Sequence, residues 1–179
     1  HDAVPVITGG ILPSSLSVDT QARIFKFSVR NARTTELKFS GVNVSSFIFG
    51  LAQGGSISDF KLYEDNGGAQ MPLLAQSNIM VDPTTPNPAQ IPFNNINSLI
   101  SPGATKTFVV SANTTNMLTG LTTGSISIIP KIVGLTGWSG TAWNTGDLFY
   151  YYTVNGNEHG QFSASDWYEV EGNVLVYTP

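Results

Sequence analysis

The sequence predicts an all-β protein: a single antiparallel β-sandwich, immunoglobulin-like or jelly-roll, with an extended apolar arm ahead of it. Three observations carry that expectation. Apolar and polar residues alternate with period two, as a half-buried strand requires; in ARIFKFSVRN, Phe25, Phe27 and Val29 face one way and Lys26, Ser28 and Arg30 the other. Turn signals such as EDNGG and VNGN separate these runs at short intervals. No apolar stripe of period 3.6 persists, so no helix is expected.

Taken in order, VPVITGGIL is an extended apolar segment with paired glycines, and ARIFKFSVRN is the first strand of the domain proper. TELKFSGVNV follows, with Leu37 and Phe39 inward and Glu36 and Lys38 outward, and SSFIFGLA is a shorter, more continuous apolar run. ISDFKLYED ends in the EDNGG turn, where Asn and Gly tolerate positive φ. MVDPTTPNPAQIPFNN carries Pro83, Pro86, Pro88 and Pro92, which exclude a helix or a central strand and predict a long crossover loop. INSLISPGATKTFVVSAN restores order through a PG turn and a strand bearing Phe108 and Val110. GSISIIPKIVGL is a strand in which Pro130 marks an edge or a bulge. DLFYYYTVNGNEHGQF is a hairpin turning at VNGN, and NVLVYT is a short closing strand. About eight to ten strands result, the number a sandwich needs.

At 179 residues, without an internal repeat, the chain fits one domain plus an arm: residues 1–15 as the arm and 16–179 as the sandwich. Hydrophobic residues at 41% supply a core, while charged residues at 11% fall far below the roughly 25% usual for soluble domains. Ser, Thr, Asn and Gly fill the surface instead, the pattern of a secreted or cell-surface β-protein. The eight Lys and Arg are scattered singly and the net charge is −4, which argues against nucleic acid as a partner. There is no cysteine, so disulfides and thiolate metal sites are excluded. No apolar run reaches the length of a membrane span. A first residue of His1 rather than Met leads to the expectation of signal-peptide removal and an extracellular location.

Chemistry-bearing groups are sparse. His1 and His159 are too few for a catalytic or metal constellation, and a triad drawn from His159 and Asp166 lacks a nucleophile elbow. The carboxylate pairs Glu64–Asp65 and Glu169–Glu171 lie in no calcium-binding loop and read as solvated turn residues. No enzyme activity, cofactor or metal is expected. Trp138 and Trp143 sit in the Gly/Ser/Thr-rich stretch GLTGWSGTAWNTGD and are candidates for sugar stacking, although core or interface packing is the simpler explanation. Tyr150, Tyr151 and Tyr152 alternate across a strand and decide nothing. Asn43 and Asn113 each open a glycosylation sequon, NVS and NTT.

The arm presents a choice. As a strand, VPVITGGIL spans about 30 Å at roughly 3.3 Å per residue, and left exposed it would invite aggregation. It either folds back as the first strand of its own sandwich or completes the sheet of the next copy by strand addition. Extended LPSS as a hinge and close backbone approach at Gly9 and Gly10 favour exchange, whereas Pro5 cannot donate to a ladder and limits where the strand begins.

An apolar arm ahead of a cysteine-free, Ser/Thr/Asn-rich sandwich resembles the donor-strand-exchanged filament subunits of microbial surfaces, among them chaperone–usher pilins, archaeal threads and bundling pili, and biofilm fibre subunits. ISDFKLYEDNGG and ISPGATKTFVVSAN are also similar to the repeating surface sandwich domains of environmental bacteria. The resemblance implies an extracellular homopolymer, open to glycosylation, serving adhesion or biofilm structure. Its joint would be Val4, Val6, Ile7, Ile11 and Leu12 inserted into a neighbour's apolar groove, with further copies of the chain as partner and covalent glycans as an addition. A monomeric carbohydrate-binding or adhesin module is the alternative. The chain departs from type IV pilins, which carry a long apolar N-terminal helix.

Overall fold

The computed structural model describes residues 5–133, 148–154, 157–162 and 169–179. Among them are thirteen strands and no helix. In chain order the first five are β1 (Val6–Gly9), β2 (Ala22–Arg30), β3 (Leu37–Phe49), β4 (Ser58–Asp65) and β5 (Leu73–Ser77). Next come β6 (Ala89–Phe93), β7 (Ser98–Ile100), β8 (Thr105–Asn113) and β9 (Ile126–Val133). The last four are β10 (Leu148–Val154), β11 (Asn157–Phe162), β12 (Glu169–Glu171) and β13 (Leu175–Tyr177).

These strands form two antiparallel sheets packed face to face, a β-sandwich. One sheet has the order β1-β2-β8-β4-β5. The other is built on β3, which takes β6 and β7 along one side and β9 and β10 along the other. The β10–β11 hairpin extends it at one end, and β12 and β13 pair with β9. Val154 pairs with Asn157, as the VNGN turn requires, with the two turn residues themselves outside the described ones.

The core follows from the alternation. Phe27 of β2 and Phe108 of β8 point from the first sheet onto Phe39 of β3, and Phe25 packs beside Phe27. Phe39 meets Phe108 at 4.8 Å and Phe27 at 6.4 Å between ring centroids, both nearly edge-on, as the ring quadrupoles favour. Leu37 and Phe39 face inward as expected, but further along β3 the buried apolar residues are Val42, Val44 and Ile48, the other parity. A bulge around Ser40, opposite Phe149 and Tyr150 of β10, makes that switch.

Both prolines within strands sit where a missing N–H costs little. The crossover expected to be a loop contains β6, in which Pro92 is accommodated because β6 is an outer strand paired only with β3. Pro130 lies between the part of β9 paired with β13 and the part paired with β12, and its carbonyl accepts from Gly172 N at 2.8 Å. The N–H and C=O of one strand residue point to the same side, so the absent donor faces the break between β12 and β13. In the crossover itself, Asp82 accepts from the Thr84 hydroxyl at 2.6 Å and the Thr84 amide at 2.8 Å, and these bonds hold its carboxyl below the ordinary range.

Two asparagines act as substitute backbone. Asn87 accepts from Ile48 N at 3.1 Å and donates to Ile48 O at 2.9 Å, completing the end of β3. Asn31, fully buried after β2, donates to Thr35 O and Ile100 O at 2.8 and 2.9 Å and accepts from Arg33 N at 2.9 Å. Its side chain thereby joins the end of β2, the approach to β3 and the end of β7. Asn31→Ala should cost about 2–3 kcal/mol, since it leaves buried backbone groups without partners. Urea denaturation measures this, and an unchanged midpoint would refute the hub.

Candidate functional site

A sandwich must close the seam between its two sheets wherever their outer strands lie side by side, because unpaired strand edges template further pairing. Residues 5–16 run along one such seam. Pro5 stays outside the ladder and the strand begins at Val6. β1 pairs antiparallel with β2, from Val6 opposite Arg30 to Gly9 opposite Phe27, and Gly10 N continues the ladder to Lys26 O at 2.7 Å. The chain then crosses to the other sheet. Asn173 accepts from Leu12 N at 3.1 Å and donates to Leu12 O at 2.9 Å. Ser14 and Leu16 flank Val176 of β13 in a parallel bridge, with Leu16 N donating to Val176 O and Val176 N to Ser14 O.

In the single chain, therefore, the arm is the first strand of its own sandwich and fastens both sheets. LPSS, expected as a hinge, is part of the fastening. The root lies just beyond, where the fully buried Thr114 hydroxyl donates to Ser17 O at 2.7 Å and accepts from Asp19 N at 3.0 Å.

The side chains divide unevenly. Ile7 and Leu12 are buried, whereas Val6 is 44% and Ile11 89% exposed; Val4 lies outside the described residues. The glycines fit tightly. A Cβ on Gly9 would sit 3.0 Å from the carbonyl oxygen of Glu171, and one on Gly10 would sit 2.6 Å from Cγ of Lys26. Between β1 and β12 remains an open gap of about 620 Å3 that includes Ile7, Ile11, Val170 and Asn173 in its walls.

The remaining candidates are dispersed. Asn43 is 8% exposed on β3 and donates from its side-chain amide to Gln90 Oε1 at 2.6 Å. Asn113 ends β8, and its side-chain oxygen accepts from both the amide (3.0 Å) and the hydroxyl (2.7 Å) of Thr115. Glu64 pairs with Lys106 at 3.0 Å, Asp65 with Lys26 at 3.6 Å and Glu171 with Lys131 at 3.2 Å, so these carboxylates face lysines and not solvent alone. Among the described residues no three His, Cys, Asp or Glu gather into a metal-binding group. Trp138 and Trp143, together with His1, Asp166 and the side chains of His159 and Glu169, lie outside the described residues.

Asn173 and Thr114 are the residues that sequence reasoning missed. Each is one polar residue among many, and its role depends on a segment far away along the chain; Asn173 and Leu12 are 161 positions apart. Asn173→Ala should loosen the arm by about 1–2 kcal/mol. Hydrogen exchange should then quicken at Ile7 and Leu12 while the β8 amides keep their protection; equal acceleration in both places would contradict a local clamp. No protein-family model matches this chain, and no curated protein sequence matches it.

Proposed function

We propose that this chain is a structural subunit of an extracellular homopolymeric filament for adhesion or a biofilm matrix, joined head-to-tail by insertion of the arm into the seam of the neighbouring subunit. The supporting observation is how the arm is held. Its hold consists of ladder hydrogen bonds, the backbone-reading clamp of Asn173, and burial of Ile7 and Leu12. None of these contacts depends on which copy supplies the strand. Exchange from within the chain to a neighbour therefore preserves all of them, and the difference rests on the connection between the arm and β2. Burial of Ile7 and Leu12 contributes about 1.5–3 kcal/mol each before ordering costs, and the same amount in either arrangement.

Repeated exchange in one direction is a head-to-tail contact, because the donor strand and the receiving seam are different surfaces, and it grows into an open fibre when the rotation between copies does not close a ring. The low charge of the chain favours close stacking of copies. Of the two sequons, Asn113 suits a glycan better, since it lies at a strand end beside the exposed Thr115, whereas the amide of Asn43 is buried against Gln90.

Electron microscopy of the intact protein beside a variant lacking residues 1–12 tests the assembly. Fibres from the intact chain and none from the truncation are expected; no fibres from either would sink the proposal. A second arm uses the absence of native cysteine. Thr8 and Ser28 are paired neighbours of β1 and β2, so mixed Thr8→Cys and Ser28→Cys chains should form disulfide-linked heterodimers under oxidation if strands are exchanged. Failure of the two chains to cross-link in assembled material would place the joint elsewhere.

A further inference from the structure

We infer that the outer face of the first sheet carries a binding site for a neutral sugar residue, in a cleft over β8. The cleft measures about 570 Å3, within the range of small-ligand sites. Its floor is Val109 and Ser111 of β8. One wall is the turn Asp19–Thr20–Gln21 with Arg23 of β2, and the opposite wall is Tyr63 of β4 with Gln70 and Met71 from the β4–β5 loop.

The alternation of β8 makes this floor unusual. Phe108, Val110 and Ala112 point into the core, so Val109 and Ser111 point outward, yet both are buried. The walls cover them. Ser111 is 3% exposed and lines the cleft, and its hydroxyl has no hydrogen-bond partner among the described residues. A buried hydroxyl without a partner is costly, and a ligand group that both accepts and donates would satisfy it. Asn43 Oδ1 and Ser46 Oγ also lack partners, but neither residue lines this cleft.

The chemistry of the walls selects the ligand class. Asp19 and Arg23, of opposite sign, are the only formal charges in the lining. Arg23 is exposed, and among the described residues its guanidinium is joined to no carboxylate. Asp19 offsets Arg23 within the lining, and a single carboxylate is too few for a hard cation. The floor has no free backbone edge, because β8 is paired with both β2 and β4, so a peptide strand cannot be added along β8. Hydroxyls, amides and one charge of each sign, next to the apolar surfaces of Met71, Ala69 and the Tyr63 ring, match a ring with hydroxyls at its rim and C–H bonds on its face. The rim is set in advance: Asp19 Oδ1 accepts from Gln21 N at 3.0 Å, and Asp19 N is held by Thr114. No residue that walls the gap beside the arm also lines this cleft.

The test is a titration of the full chain, followed by amide NMR, with glucose, galactose, mannose, N-acetylglucosamine and their β-linked disaccharides. Glucuronate and inorganic phosphate serve as charged comparisons. At least one neutral sugar should bind and shift the amides of Tyr63, Gln70, Val109 and Ser111. Ser111→Ala should weaken that binding by about two- to tenfold, the worth of one hydrogen bond, without lowering the melting temperature, because it removes a hydroxyl that the fold does not use. Arg23→Ala alters an exposed side chain and should weaken the same ligand. The inference is overturned if no neutral sugar binds, if glucuronate or phosphate binds in preference, or if the shifts fall elsewhere. It is also overturned if Ser111→Ala unfolds at lower temperature or both variants bind as the parent does.

Discussion

The contact of Phe39 with Phe27 and Phe108 across the sandwich fixes which way every neighbouring residue faces. Strand geometry leaves no freedom once those rings are inside: Lys26 and Ser28 must turn outward on β2, and Val109 and Ser111 on β8. An outward valine at the centre of a sheet needs cover, which the β4–β5 loop and the turn before β2 provide. The cleft over Ser111 is thus a by-product of core packing on the opposite face. The same alternation sends Ile7 inward and Val6 outward on the arm. Burial on one face and binding on the other are two readings of one period.

Asparagine side chains solve a recurring difficulty in this fold. Where a strand ends or changes partner, a backbone N–H and C=O lose their ladder, and an amide side chain presents one acceptor and one donor at the matching spacing. Asn87 does this for Ile48, and Asn173 for Leu12. Asn31 serves three backbone groups at once. These substitutions let short strands meet where a ladder is interrupted, in a chain that has no cysteine to form a disulfide there.

How much of this was legible in the sequence depends on the range of each interaction. Alternation is a nearest-neighbour property, so the faces of β2 and of the start of β3 could be read directly, and the turn residues VNGN announced the β10–β11 hairpin. The mid-strand change of parity in β3 could not, because the bulge at Ser40 is defined against β10, a hundred residues later in the chain. Pro92 masked β6, since an outer position that excuses a proline becomes visible only after the sheet is assembled. The arm was legible as a strand but not in its course; nothing local to Leu12 or Ser14 announces Asn173 or Val176. Ser111 reads as an ordinary outward polar residue, and its isolation is a property of the loop above it.

The arm's path has a mechanical consequence. Ladder hydrogen bonds lie across the strand axis, so a pull along β1 strains all of them together, whereas a pull away from the sheet opens them one at a time. Residues 6–16 are gripped first by one sheet and then by the other, which puts the β2 ladder, the Asn173 clamp and the β13 bridge in line along a single extended segment. Axial tension on the arm therefore reaches both layers of the sandwich at once, and the seam resists a pull along the arm more than a pull away from the sheet.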